Sequence, residues 1–220
     1  MRLAMRFLAL LGALGALAGC SSPGKLTDSV HQGPFFQPRN FVGGSQVPAS
    51  IRRVAILPVH GGEFAPPEAV EPLDPVFATA LERQMRFEVV VVPRDECQKC
   101  FGTPDVSSVA ALPHEILAEL GRKYAADAIM FVDVTAYQSY RPLILGVRAK
   151  LALVADRSLL WSFDEVFSAS DPAVANSVRR YYLDNELRHL PFDLTPGALQ
   201  SPSRFAAYAA DATFHTLPPR

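Results

Sequence analysis

Three apolar runs constrain this chain most. RRVAILPV (residues 52–59), FEVVVVP (87–93) and DAIMFVDVTAY (127–137) place apolar side chains on consecutive rather than alternate residues. Such short unbroken runs read as buried strands of a two-layer or three-layer α/β domain. The connecting segments have the matching helical period. LDPVFATALERQMRF brings Val76, Phe77, Ala80, Leu81 and Met85 to one face with Pro75 in the first turn. ALPHEILAELGRKYAA does the same with Ile116, Leu117, Leu120 and Tyr124, with Pro113 and Glu115 suited to its first turn. GVRAKLALVAD and SLLWSFDEVFSA then alternate, setting Val147, Ala149, Leu151, Leu153 and Ala155 opposite Arg148 and Lys150. A tight turn around Arg157 makes them an antiparallel hairpin. Two further helices are expected near 172–187 and 203–216. The predicted fold is a single α/β domain over residues 51–220, without internal repeats. Its mixed sheet has about five strands, a C-terminal antiparallel hairpin and helices packed on it.

The N-terminus sets the compartment. MRLAMRFLALLGALGALAGCSS combines Arg2 and Arg6, an apolar stretch of about a dozen residues and small residues before a cysteine, the layout of a secretory leader over residues 1–19. The apolar run is shorter than the ~20 residues that a bilayer crossing requires. LAGC resembles the lipobox of bacterial lipoproteins, which implies that Cys20 becomes an acylated N-terminus carrying palmitate and anchors the protein in a membrane. Ser21, where Asp would favour inner-membrane retention, implies an outer-membrane, periplasm-facing protein. Two or more acyl chains make such anchoring stable. Residues 20–50, rich in Ser, Pro, Gly, Gln and Asn, are expected to be a flexible tether. Its reach would be roughly 30 Å by random-coil scaling, with Phe35, Phe36 and Phe41 packing on the domain edge. The chain has 21 basic and 22 acidic residues, and loss of Arg2 and Arg6 leaves 19 against 22, a net charge of −3. There is no basic stripe of the kind nucleic-acid binding requires.

In order and spacing, RRVAILPV, ALERQMRFEVVVVPRDE, LGRKYAADAIMFVDVTAY and KLALVADRSLLWSFDEVF resemble the successive motifs of bacterial lipoproteins of the CsgG type (curli secretion) and LpoB type (activation of peptidoglycan synthases). Asp127, Asp156, Trp161 and Ser162 match the pattern, and the likeness spans residues 51–167. It implies an anticodon-binding-like, CsgG-like α/β domain and no catalysis. Action would be by assembly with another periplasmic or outer-membrane protein, and homo-oligomerisation stays open. A secretion channel of the CsgG type would need an extra pair of membrane strands of about 9–11 residues, and the one alternating pair is already used by the core sheet.

The candidate sites are few. The chain has no Gly-x-Ser-x-Gly elbow and no His pair at i, i+4, and no cofactor is expected. His60, Glu63 and Phe64 lie in HGGEF at the carboxyl end of the first strand, where α/β folds place ligands. A dozen proline-rich residues separate that loop from the next predicted helix, so no phosphate cradle forms, and a partner contact is the favoured reading. With Cys20 consumed by lipid, Cys97 and Cys100 of ECQKC remain as an even pair in an oxidising compartment. A structural disulfide pinning a loop tip is expected, because Gly102 and Pro104 argue against a helix starting at Cys97, and Asp95 and Glu96 oppose a thiolate. The alternatives are a thiol-disulfide redox protein using the same two residues, or a metal site, which lacks further ligands. Val174, Val178 and Tyr181 are expected to face the core, and Arg179 and Arg180 the solvent.

Overall fold

A computed structural model describes residues 28–111, 115–185 and 195–220, so the leader and Cys20 lie outside the described residues. The elements are α1 (Ser29–Gln32), β1 (Phe41–Gly43), β2 (Arg53–Ile56), α2 (Pro67–Val70) and α3 (Asp74–Glu82), then β3 (Glu88–Val91), α4 (Arg94–Phe101) and α5 (Ile116–Tyr124). The long strands β4 (Ala128–Gln138), β5 (Ile144–Leu153) and β6 (Leu159–Ser168) follow, and α6 (Pro172–Asn185) and α7 (Pro202–His215) end the chain. Six strands form one sheet in the order β1-β6-β5-β4-β2-β3. The β2 strand pairs in parallel with both β3 and β4, and the β4-β5-β6-β1 side is antiparallel. This is the mixed α/β domain predicted, with one strand more.

Two of the three unbroken apolar runs, those of β2 and β4, are explained by burial on both faces; the third forms the edge strand β3, where Val89 and Val90 are only half-buried and Val91 is exposed. Val54 and Ile56 of β2, with Ala128, Met130 and Val132 of β4, join the larger core under α3, α6 and α7. The intervening Ala55, Ile129 and Phe131 join a smaller core with Cys97 and Leu120 under α4 and α5. Strands β5 and β6 are covered mainly on one face. Val147, Ala149, Leu151, Trp161, Phe163 and Phe167 point into the larger core, while Arg148 Nε donates to Asp164 Oδ2 across the open face at 2.7 Å. Trp161 and Phe163 stack at 6.0 Å, and the Trp161 indole donates to Thr216 Oγ1 at 3.2 Å. The Asp127 carboxylate caps the sheet entry, accepting from the backbone N–H groups of Arg52 and Arg53 at 2.8 and 3.0 Å.

Several expectations need correction. Residues 28–50 are not a free tether. There β1 extends the sheet beside β6, Val30 and Val47 are buried, and Phe36 meets Phe167 edge-on at 5.4 Å. Met85 lies past the end of α3 in a left-handed conformation, 89% exposed. Ala155 belongs to the exposed β5–β6 turn, which reverses through Arg157 at φ 63°. On α6 the buried series continues to Tyr182, not Tyr181, four residues being closer than three to a helical turn. Arg179 is not solvated, because its guanidinium grips both oxygens of Asp28 at 3.1 and 2.9 Å.

Candidate functional site

Beyond β2 the chain keeps following β4. The amide of His60 donates to the Val132 carbonyl at 2.9 Å and its carbonyl accepts from Val134 N–H at 2.8 Å. The chain then turns through Gly61 and Gly62. A Cβ on Gly61 would sit 2.5 Å from both the Ala65 carbonyl oxygen and Val70 Cγ2, and Gly62 has φ +53°, so both positions require glycine. The amides of Phe64 and Ala65 close the turn on the Gly61 carbonyl. Helix α2 begins two residues later at Pro67, sooner than the predicted dozen, but it is a single turn.

Under this loop lies a lattice that the sequence did not suggest. Arg94, the first residue of α4, donates from Nε and Nη2 to the two oxygens of Asp74 at 2.7 and 2.9 Å. It also donates from Nη1 to Asp105 Oδ2 at 2.8 Å and from Nη2 to the Val59 carbonyl at 2.9 Å. Asp74, at the start of α3, accepts in turn from Val59 N–H at 2.8 Å. Asp105 Oδ1 lies 2.6 Å from His60 Nδ1. Burial works against the Arg94 charge, but the hydrogen bonds and charge of Asp74, then of Asp105, outweigh it and hold the guanidinium above its ordinary value. Next to it, buried Asp133 accepts from the Ser108 amide and hydroxyl, and Lys150 Nζ donates to the Ser108 carbonyl at 2.9 Å.

The lattice therefore fixes the His60 end of the His60–Phe64 loop, and the turn on the Gly61 carbonyl closes the other end. His60 is bound to Asp105, whereas Phe64 is 51% exposed at the loop tip and Glu63 is exposed beside it. Of the three predicted contact residues, one is part of the support and two are displayed. The His60–Asp105 pair has the geometry of a base and its orienting acid, yet His60 Nε2 meets no hydroxyl or thiol within hydrogen-bond distance among the described residues. Nor do three His, Cys, Asp or Glu side chains converge on a metal-sized site among them.

The cysteines differ from expectation. Both belong to α4, which runs from Arg94 to Phe101 and stops at Gly102 with φ +75°. Gly102 is the cap that ends this helix, not a barrier to its start. The two thiols are free, Cys97 buried and Cys100 exposed, so the expected disulfide is not formed. Burial first, then the neighbouring Cys100 and Asp105, pushes the Cys97 thiol up to about 12. Cys100 Sγ lies 4.0 Å from Lys123 Nζ, whose ammonium is paired with Glu96.

No family model and no curated protein matches the chain. Solved structures show distant likenesses. The PelC dodecamer from Paraburkholderia phytofirmans has 15% identity and a TM-score of 0.42 over 61% of this chain and 88% of that one. Lipoprotein GNA1162 from Neisseria meningitidis has 16% identity and a TM-score of 0.37 over 53% and 79%. The LpoB C-terminal domain from Salmonella enterica has 15% identity and a TM-score of 0.34 over 57% and 84%.

Proposed function

We propose that this protein is a lipid-anchored envelope factor that acts by binding rather than by catalysis. In this reading Cys20 carries the anchor in the outer membrane, and the α/β domain docks another periplasmic or outer-membrane protein through the His60–Phe64 loop. The observation that carries the docking is the contrast between a loop base fixed by five charged hydrogen bonds within reach of Arg94, Asp74, Asp105 and His60, and an aromatic tip left in solvent. A loop held in one conformation has little ordering entropy left to lose on association, and a central aromatic is the usual energetic anchor of an interface. The leader and lipobox support the anchor.

The test is in the native envelope. A photo-crosslinking residue at Phe64 should capture a discrete envelope protein, and Phe64→Glu should lower recovery of that protein about tenfold or more without a change in thermal stability. Metabolic labelling with palmitate should mark the wild type and not Cys20→Ser. Equal recovery with Phe64→Glu would remove the loop as the docking element, and an unlabelled wild type would remove the anchor.

A further inference from the structure

A second feature shares no residue with the 60–64 loop. The segment around Phe35 and Phe41, the C-terminal half of α6 and the C-terminal half of α7 enclose an open groove of about 680 Å³. Its surface is aromatic. Phe35 and Phe41 are each 40% exposed at one side, and Tyr181 and Tyr208 meet edge-on at 6.0 Å beneath them. Among these rings lies the half-buried carboxylate of Asp211.

The surrounding charges do not neutralise that carboxylate. The other acid of the groove, Asp184, is already paired with Arg180 at 2.7 Å. Arg83, whose charge also acts on Asp211, donates instead to the Tyr181 hydroxyl at 2.8 Å, and His215, one turn along α7, forms no bond with Asp211. Among the described residues Asp211 neither pairs with a cation nor accepts a hydrogen bond. Burial accordingly holds its carboxyl above the ordinary value, with His215 and then Arg83 only partly countering. A carboxylate desolvated by aromatic rings favours an organic cation, which gains both the ion pair and the faces of the rings. A free metal ion would lose its hydration shell there for a single oxygen ligand.

We infer that this groove is a binding site for a lysine or arginine side chain of a partner protein, flanked by apolar residues that fill the aromatic walls. The ion pair with Asp211 selects the cation, and Phe35, Phe41 and Tyr181 supply the contact area. The inference stands apart from the 60–64 loop, so either surface can fail without the other.

The detergent-solubilised full chain is titrated calorimetrically with acetyl-Phe-Arg-Phe-amide, and with the same peptide carrying Gln or Glu at the centre. The Arg peptide should bind about tenfold tighter than the Gln peptide, and the Glu peptide weakest. Asp211→Asn should bring the Arg peptide to within about threefold of the Gln peptide, Asp211→Glu should restore part of the preference, and Phe35→Ala should weaken all three peptides. Phe64→Glu should change none of these values. Three equal affinities, no binding up to millimolar peptide, or an Arg preference that survives Asp211→Asn would overturn the inference. So would a groove occupied by a second copy of the chain, seen as a dimer that Asp211→Asn disperses.

Discussion

Arg94→Met tests whether the lattice beneath the loop is what ties the starts of α3 and α4 to the end of the first parallel strand. The substitution keeps the length and apolar stem but removes four hydrogen bonds, leaving Asp74 and Asp105 facing each other without a cation. Breaking a buried ion pair by removing one partner costs about 3–5 kcal/mol. Here the side chains keep 18% (Arg94) and 21% (Asp74 and Asp105) exposure, so water recovers part of that loss, and about 3 kcal/mol is expected. In a domain of this size each kcal/mol moves the midpoint by roughly 2–4 °C, so Tm should fall by roughly 6–12 °C. Urea unfolding followed by Trp161, the only tryptophan and buried in the larger core, measures the loss. Asp74→Asn, alone and combined with Arg94→Met, closes a double-mutant cycle whose coupling should be at least ~1 kcal/mol. Arg94→Lys should recover only part of the stability, since a point charge cannot fork onto two oxygens and reach a carbonyl as well. A loss below ~1 kcal/mol with additive single variants would show that the lattice is a solvated surface pair, and the rigid display of Phe64 would lose its basis.

Two further outcomes follow from the thiols and from Asp211. In the native protein an aromatic disulfide reagent at neutral pH should modify Cys100 and leave Cys97, with its thiol pushed up to about 12, until the domain unfolds; equal labelling rates would contradict the burial of Cys97. Because the Asp211 carboxyl is held above its ordinary value of 3.8, the folded state takes up that proton before the unfolded state does. The group therefore lowers stability above its folded value and ceases to do so below its unfolded one. Asp211→Asn should thus raise Tm at pH 7 and lose the advantage as pH falls below 3.8; a variant less stable than wild type at pH 7 would reverse that sign.

The strands from β2 onward are legible because their apolar patterns mark them. Val54 to Leu57 or Ala128 to Val134 cannot be placed in any environment but a two-sided interior. Helix faces were legible to within a residue, failing where a chain leaves the helix early, as at Met85. The lattice was not legible, since Asp74, Arg94 and Asp105 are three charged residues scattered over thirty positions, with the composition of any surface. One local signal was present. Asp74 precedes Pro75 and Arg94 follows Pro93, so both open helices that leave the carboxyl ends of the parallel strands, the end at which such residues converge. In the sequence Gly102 has the look of a breaker, but it acts as a stop, and the helix holding both cysteines is hidden behind it. The ordered stretch 28–50 was hidden for another reason: β1 is three residues long and exposed along its length, too short for any period to show, and it is held by β6 rather than by its own pattern.

That ordered stretch changes what the proposed anchor can do. With the lipid on Cys20, Asp28 lies eight Cα-to-Cα steps from the anchored residue, and eight such steps span at most ~29 Å in any conformation. A thirty-residue tether would reach roughly that far on average; a limit is more restrictive than an average. Asp28 is itself fastened, its carboxylate accepting from Val30 N–H at 3.0 Å and gripped by Arg179, whose hydrogen bond is the first of several influences that hold it below the usual carboxylate range. The segment leading away from that clamp then lays Phe35 and Phe41 along the aromatic groove. Releasing the clamp by Asp28→Ala would lengthen the free chain toward Phe36, whose amide donates to Ser177 Oγ at 2.8 Å, and would loosen the wall of the groove with it. Anchor length and groove geometry are therefore set by the same contacts, so the proposed anchor would keep a partner seated in the groove within a bounded distance of the membrane.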